Sequence, residues 1–136
     1  AFAVKYKKEH SILLGKMYVL IDTSSILFAF RNKNNIFALL SYQFPGVRLA
    51  VSQGVKEELA KLSKSKKRIS ASASVALKEA ASNGVEVLPN KAMPDAWLLD
   101  SAKAGVFICT NDIALKRKLK AKGATVFSVT RSGKIM

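Results

Sequence analysis

Short, almost uninterrupted apolar runs recur along the chain, and a longer segment with helical spacing separates each run from the next. Runs of this length and composition are typical of strands that are covered on both faces of a sheet. The segments between them place apolar residues three and four positions apart, as amphipathic helices do. This alternation predicts a three-layer α/β/α sandwich with a central parallel β-sheet. The predicted strands are residues 18–21, 47–51, 85–89, 105–110 and 124–129.

Capping residues support the predicted helices between these strands. Thr23 follows Asp22 at the end of the first run, Ser52 directly follows the second run, and both suit the start of a helix. Pro94 suits the first turn of a further helix, because its missing N–H has no partner there in any case. Gly84 and Gly123 stand where helices of this length would end, with the left-handed backbone that glycine adopts easily.

Four of the nine acidic residues occupy positions that solvation alone would not choose. Asp22 ends the first strand, and Asp112 opens the helix after the fourth. Asp95 begins the inner edge of its helix, while Glu58 lies closer than Glu57 to the inner face of another. Because the carboxyl ends of parallel strands meet at one edge of a sheet, we expect the four side chains to converge there. Taken singly, Asp95 and Asp112 also suit the ordinary role of a helix N-terminal residue.

Four converging carboxylates would repel one another and take up protons unless a cation offset their charge. Oxygen ligands of this kind suit Mg²⁺ or Mn²⁺. Such an ion can activate a bound water and neutralise a phosphate during an in-line displacement. Lys116 and Arg117 follow Asp112 by one helical turn and are candidates to hold the flanking backbone phosphates of a substrate. The pattern therefore favours phosphodiester hydrolysis.

The charge of the chain narrows the class of partner. It contains 23 Lys and Arg against 9 Asp and Glu, which gives a net charge of +14. A charge of this size attracts polyanions and favours nucleic acid as the partner. The alternative is a basic surface that is merely solvated, and the basic run 61–68 could equally contact phosphate or form an ordinary turn.

The remaining features concern location and the extent of the domain. Cys109 lies within an apolar run and is expected to be a buried, inert thiol, and the Cys and His residues lack zinc spacing. A single cysteine cannot form an internal disulfide, so a reducing cytoplasm is expected. No apolar run is long enough to span a membrane. Residues 1–16 are interpreted as an N-terminal extension and residues 17–136 as one domain.

Four stretches of the sequence resemble the PIN-domain ribonucleases, in the order in which that family carries them. They are VLIDTSSIL around Asp22, GVKEELAKL around Glu58, PDAWLLDSA around Asp95 and ICTNDIALKRKL around Asp112. Together they span nearly all of the chain from Met17. The last stretch is the most specific and the glutamate stretch is the least.

The resemblance implies a small α/β/α sandwich whose acidic pocket binds Mg²⁺ or Mn²⁺ for endonuclease action on RNA. Asp22, Glu58, Asp95 and Asp112 correspond to the family's metal ligands, either directly or through water. Ser24 and Thr110 occupy positions that often orient these acids by hydrogen bonds. One departure is that many members carry two adjacent aspartates where this chain has Pro94 before Asp95, so a spare ligand is absent.

Three roles remain open at this point. The TNDIALKRKL and EELAKL stretches look closer to PIN nucleases of ribosomal RNA processing, with rRNA or a pre-ribosome as partner, than to VapC-type toxins. A toxin would have a cognate antitoxin as its partner, and family members often form homodimers. An RNA-binding module without turnover is the third alternative. Trp97 could then stack a base, although a packing role in the core is the simpler interpretation.

Overall fold

The computed structural model describes residues 17–136, so the predicted N-terminal extension 1–16 lies outside the described residues. Five strands form a single parallel sheet in the order β3-β2-β1-β4-β5. The strands are β1 (Tyr18–Ile21), β2 (Arg48–Ser52), β3 (Glu86–Leu88), β4 (Phe107–Cys109) and β5 (Thr125–Phe127). The predicted parallel sheet is confirmed, and β1 is its central strand.

Within residues 17–136, six helices connect the strands and cover the two faces of the sheet. The first four pack together, with α4 against both α1 and α3, and the last two pack against each other. These two groups form the outer layers of the predicted three-layer sandwich. The helices are α1 (Thr23–Arg31), α2 (Ile36–Gln43), α3 (Gln53–Ser63), α4 (Ile69–Ser82), α5 (Pro94–Ser101) and α6 (Ile113–Ala121).

Strand β1 is apolar because it is enclosed on both faces and both edges. Val19 pairs with Leu49 of β2 on one side and with Phe107 of β4 on the other. Val19 and Ile21 are completely buried. The chain runs from β1 outward through β2 to β3 and then returns to β4, so the strand order reverses between β1 and β4. A reversal of this kind opens a crevice at the carboxyl ends of the two strands.

Three of the strands are shorter than the apolar runs that predicted them. β3 spans residues 86–88, β4 spans 107–109 and β5 spans 125–127. The flanking residues form other hydrogen bonds: the Val85 amide donates to the Ala80 carbonyl at the end of α4, and Ser128 pairs with Met136. The apolar run indicated burial correctly for β4 but not for β3, an edge strand whose Val87 is 40% exposed. Pairing with the neighbouring strand set the strand ends.

Two apolar side chains with proposed alternative roles belong to the core. Trp97 is only 3% exposed and lies within the hydrophobic core, so the packing interpretation is confirmed and the base-stacking alternative is wrong. Cys109 is fully buried, and its burial raises the pKa of the thiol to about 11. The thiol is therefore protonated at neutral pH and inert, as expected. In the part of the chain that the structure describes, no helix has the length and apolar character to cross a bilayer.

Candidate active site

The four predicted acids line one cleft at the carboxyl edge of the sheet, beside the point where the strand order reverses. The cleft has a volume of about 330 Å³. Strand β1, the start of α1, the first two turns of α3, the start of α5 and the start of α6 all contribute to it. Its lining residues are Asp22, Thr23, Ser24, Leu27, Glu58, Met93, Pro94, Asp95 and Asp112.

Asp22 is the most buried of the four acids, with 3% of its surface exposed. It occupies the N-cap position of α1, but its side chain makes no capping hydrogen bond. Instead its Oδ2 accepts hydrogen bonds from Ser24 Oγ and Thr110 Oγ1, each at 2.7 Å. Because both hydroxyls bind the same oxygen, Oδ1 has no side-chain donor among residues 17–136. The carboxylate is thus held in one orientation by two neutral groups.

Thr110 connects Asp22 to Asp112. The Thr110 hydroxyl donates to Asp22 and also accepts a hydrogen bond from the backbone N–H of Asp112 at 3.1 Å. Asp112 is exposed, and its Oδ1 caps α6 by accepting from the Leu115 N–H at 3.0 Å. The capping role expected of Asp112 is therefore confirmed. It occupies one carboxylate oxygen and does not take the side chain out of the cleft.

Glu58 reaches the cleft from α3, where it is half-buried on the second turn. Thr23 Oγ1 donates to Glu58 Oε1 at 2.7 Å, which joins α3 to the start of α1. Glu57 is exposed, and its Oε2 accepts a hydrogen bond from Gln53 Nε2 at 3.1 Å on the same helix. The sequence preference for Glu58 over Glu57 as the cleft residue matches this placement.

Asp95 is placed at the start of α5, where it is exposed and forms no capping hydrogen bond. The pKa of Asp95 is raised, first because desolvation disfavours its charged form and then because Asp22 and Asp112 are negatively charged. Lys118 opposes this increase. The raised pKa records the proximity of three carboxylates across the cleft, and it is the behaviour expected of acids that lack a compensating cation.

A family model described as a PIN-like domain matches residues 19–132, which is most of the chain. The chain belongs to the PIN-domain ribonuclease family. Ribonuclease VapC9 of Archaeoglobus fulgidus is 32% identical over 110 residues, covering 78% of each protein. A solved structure of the PIN domain endonuclease Utp24 is similar in fold, with a TM-score of 0.70, 24% identity, and coverage of 87% of this chain and 90% of that one.

The two walls of the PIN cleft approach each other closely at Gly54, which sequence inspection did not single out. A Cβ atom at Gly54 would collide with the backbone carbonyl oxygen of Ala92. The Gly54 N–H donates to the Asn90 carbonyl at 3.0 Å, so the first turn of α3 rests on the loop before α5. This contact sets the distance between the helices that carry Glu58 and Asp95. The sequence signal for this close approach was a glycine at the start of a predicted helix, one turn before Glu58.

Asn111 fixes the loop between Thr110 and Asp112, and its role was also not predicted. Its Oδ1 accepts from the Val129 N–H at 3.0 Å, and its Nδ2 donates to the Val129 carbonyl at 2.8 Å. Ser25 Oγ of α1 donates to the same Oδ1 at 2.9 Å. The chain after β5 is therefore attached to the loop that carries Asp112. The "TND" motif contained this residue, but its partners are distant in sequence.

The two residues predicted to bind RNA differ in their surroundings. Lys116 is half-buried, and its Nζ donates to Ser128 Oγ at 2.9 Å. Ser128 Oγ in turn donates to the carbonyl oxygen of Thr110 at 2.8 Å. Lys116 is thus engaged in supporting the loop beneath Asp22. Arg117 is exposed on α6 and is the more accessible of the two cations.

The chemistry of the cleft suits a hard divalent cation. All four acidic groups supply carboxylate oxygens, and no Lys or Arg of residues 17–136 forms a salt bridge with any of them. Within the same residues, no group of three or more His, Cys, Asp or Glu side chains is arranged to hold an ion by itself. Magnesium sites are usually completed by water molecules and by substrate phosphate, so one or two direct carboxylate ligands suffice. The donor set therefore fits Mg²⁺ or Mn²⁺.

Proposed function

We propose that this protein is a divalent-metal-dependent endoribonuclease that hydrolyses phosphodiester bonds in single-stranded or structured RNA. The observation that carries the proposal is the convergence of Asp22, Glu58, Asp95 and Asp112 on one cleft. Membership of the PIN-domain ribonuclease family supports the reaction type. The net charge of +14 supports a polyanionic substrate.

The four carboxylates would hold Mg²⁺ or Mn²⁺, directly or through water. When bound, the cation would lower the pKa of a coordinated water and neutralise negative charge on the scissile phosphate. Desolvation is the first cause of the raised pKa of Asp95, and the negative charges of Asp22 and Asp112, which such an ion would offset, raise it further.

The side chains of this chain supply orientation. Ser24 and Thr110 prevent rotation of the Asp22 carboxylate, and Thr23 does the same for Glu58. Preorganised ligands of this kind need no rearrangement when a substrate arrives. Arg117, which is exposed one turn beyond Asp112, would attract an RNA phosphate.

Cleavage of labelled RNA tests this proposal directly. Wild type is expected to cut single-stranded or structured RNA with Mn²⁺ or Mg²⁺ and to stop when a chelator is added. Asp22→Asn and Asp112→Asn are expected to abolish cleavage while RNA binding persists. Glu57→Gln and Asp100→Asn are matched controls, because both residues are exposed and neither lines the cleft. Binding without cleavage in every metal would favour the RNA-binding module instead.

The biological role has two candidates. The likeness of the TNDIALKRKL and EELAKL stretches to rRNA-processing PIN nucleases supports processing of rRNA, in which a precursor accumulates when Asp22→Asn replaces wild type. The 32% identity with Ribonuclease VapC9 supports a VapC-type toxin. Induced expression distinguishes them: a toxin arrests growth unless its antitoxin is present, and Asp22→Asn relieves the arrest.

A further inference from the structure

A second concave surface lies next to the cleft and is not used by the site described above. We call it the α1–α4 groove; it has a volume of about 520 Å³ and is formed by the end of α1, the turn 32–35 and one face of α4. Leu27 lines the catalytic cleft, and Phe30 lines the groove. Three residues of an α-helix rise by about 4.5 Å. The groove and the cleft are therefore neighbours along α1.

The groove combines an apolar floor with a cationic rim. Phe30, Ala71 and Val75 supply apolar surface, and Val75 is 48% exposed although it is a large aliphatic residue. Arg31 and Lys33 are exposed and line the same groove. Aromatic and aliphatic surface beside Arg and Lys is the combination that binds bases and phosphates of single-stranded nucleic acid.

The one acid among the lining residues does not cancel this positive charge. Glu79 Oε1 accepts a hydrogen bond from Asn35 Nδ2 at 2.8 Å and lies 3.4 Å from Asn83 Nδ2. Its carboxylate is thus occupied in joining α4 to the turn after α1. Two exposed cations and one engaged carboxylate leave the groove with a net positive charge, which is complementary to RNA.

The turn that carries Lys33 is held in a defined conformation. Lys33 has a φ of 63°, in the left-handed region that non-glycine residues seldom adopt. The Lys33 N–H donates to the Phe30 carbonyl, and the Asn34 N–H donates to the Ala29 carbonyl. Asn34 Nδ2 also donates to the Arg131 carbonyl at 3.0 Å, which fixes the turn to the chain after β5. The backbone of the cationic rim is therefore positioned by the fold.

We propose that the α1–α4 groove binds a segment of the RNA substrate that extends out of the catalytic cleft. Arg31 and Lys33 contact its backbone phosphates, and a base packs against Phe30 and Val75. This inference rests on the proposed function for the identity of the ligand, but binding in the groove is separable from cleavage. A protein partner that occupies the groove without RNA is the competing occupant.

The test compares RNA binding by charge-reversal variants in an Asp22→Asn background. Arg31→Glu/Lys33→Glu is expected to weaken binding of a labelled single-stranded RNA of about 20 nucleotides by about tenfold or more, and to reduce the slope of log K against log salt by about 1–2. An RNA of about 5 nucleotides is too short to occupy both surfaces. Its affinity for the protein is expected to change by less than about twofold. Fluorescence anisotropy measures both.

Lys103→Glu/Lys120→Glu is the matched control, because it makes the same charge change at two exposed residues near the amino edge of the sheet. This control is expected to weaken binding of the longer RNA much less than the groove variant does. Val75→Glu changes a residue that is 48% exposed. This variant is also expected to weaken binding of the longer RNA.

Equal effects of the groove and control variants would overturn the proposal and leave the groove to a protein partner. Weaker binding of the longer RNA in the groove variants alone supports the groove proposal, even if wild type never cuts any RNA. That last result would contradict the proposed function alone, so the two failures are distinguishable.

Discussion

The two sides of the catalytic cleft are constructed in different ways. On the side of β1 and β4, Asp22 and Asp112 are joined through the buried hydroxyl of Thr110, and Ser24 adds a second hydrogen bond to Asp22. On the side of α5, Asp95 is exposed and accepts no hydrogen bond from another residue of the described chain. The pKa of Asp95 is raised first by desolvation and then by the negative charges of Asp22 and Asp112.

The difference indicates a division of work within the site. The β1–β4 side is preorganised, because two neutral hydroxyls hold the Asp22 carboxylate and the Leu115 N–H holds the Asp112 carboxylate before any ligand arrives. The α5 helix is positioned by the burial of Trp97 and Leu98 and by the contact of its preceding loop with Gly54, but its Asp95 carboxylate accepts no hydrogen bond from residues 17–136.

Thr110→Val removes the hydroxyl that joins Asp22 to Asp112 while preserving the shape of the side chain. We expect a decrease in kcat of about 10–100-fold and a loss in the free energy of unfolding of about 1–3 kcal/mol, because a buried carboxylate loses a donor. Steady-state cleavage and denaturant unfolding measure the two effects. Thr125→Val, at an exposed position on the edge strand β5, is the control. A Thr110 variant that matched this control would show that the β1–β4 side is not preorganised by the hydroxyl.

Gly54→Ala places a Cβ against the Ala92 carbonyl oxygen and forces the loop before α5 away from α3. Overpacking of this kind costs about 1–3 kcal/mol in the free energy of unfolding, and the shift between Glu58 and Asp95 is expected to lower kcat by about tenfold. Unfolding and cleavage assays on the purified variant report both values. A stable variant with wild-type kcat would contradict the idea that this contact sets the width of the cleft.

Asp95→Asn relieves the repulsion on the α5 side and is expected to stabilise the metal-free protein slightly. The folded pKa of Asp95 lies above its ordinary 3.8, so its ionisation disfavours folding as the pH rises through the folded value. At pH 7 the variant should gain about 1–3 °C in Tm, because the group is exposed and its interactions are screened. The gain should vanish below about pH 3, where the carboxyl is protonated in both states.

Saturating Mn²⁺ is expected to change the relative Tm values of wild type and Asp95→Asn. An ion that binds only the folded protein raises Tm, and wild type retains the carboxylate that Asp95→Asn lacks. We therefore expect the order of the two Tm values to reverse in the metal. Asp100→Asn, an exposed change on the same helix, should move neither value. Differential scanning fluorimetry across pH, with and without Mn²⁺, makes the comparison, and an unchanged order would contradict the account.

The order of strands and helices and the convergence of the four acids were predictable because they follow from local periodicity. Asp22 comes directly after a buried strand, and parallel strands end at one edge of a sheet. The exact strand ends were not predictable, since Ser128 and Val129 continue the apolar run but bind Met136 and Asn111 instead of a sheet neighbour.

The supports of the acids depend on contacts between distant residues, which periodicity does not report. Thr23 and Glu58 are 35 positions apart, and Gly54 meets Ala92 only because the first turn of α3 lies against the loop before α5. Lys116 appeared to be a surface cation in the pattern of α6, yet it donates to Ser128 after β5. In each case the residue type was visible in the sequence, but its partner was determined by the fold.

Direct measurement of Mn²⁺ binding tests the central claim, that the four carboxylates form one cation site. Electron paramagnetic resonance of free Mn²⁺, titrated with protein in the absence of RNA, counts the bound ion. Wild type, Glu57→Gln and Asp100→Asn are predicted to bind Mn²⁺ saturably, whereas Asp22→Asn and Asp95→Asn are predicted to bind much more weakly. No saturable binding by wild type, or equal binding by all five proteins, would contradict the account.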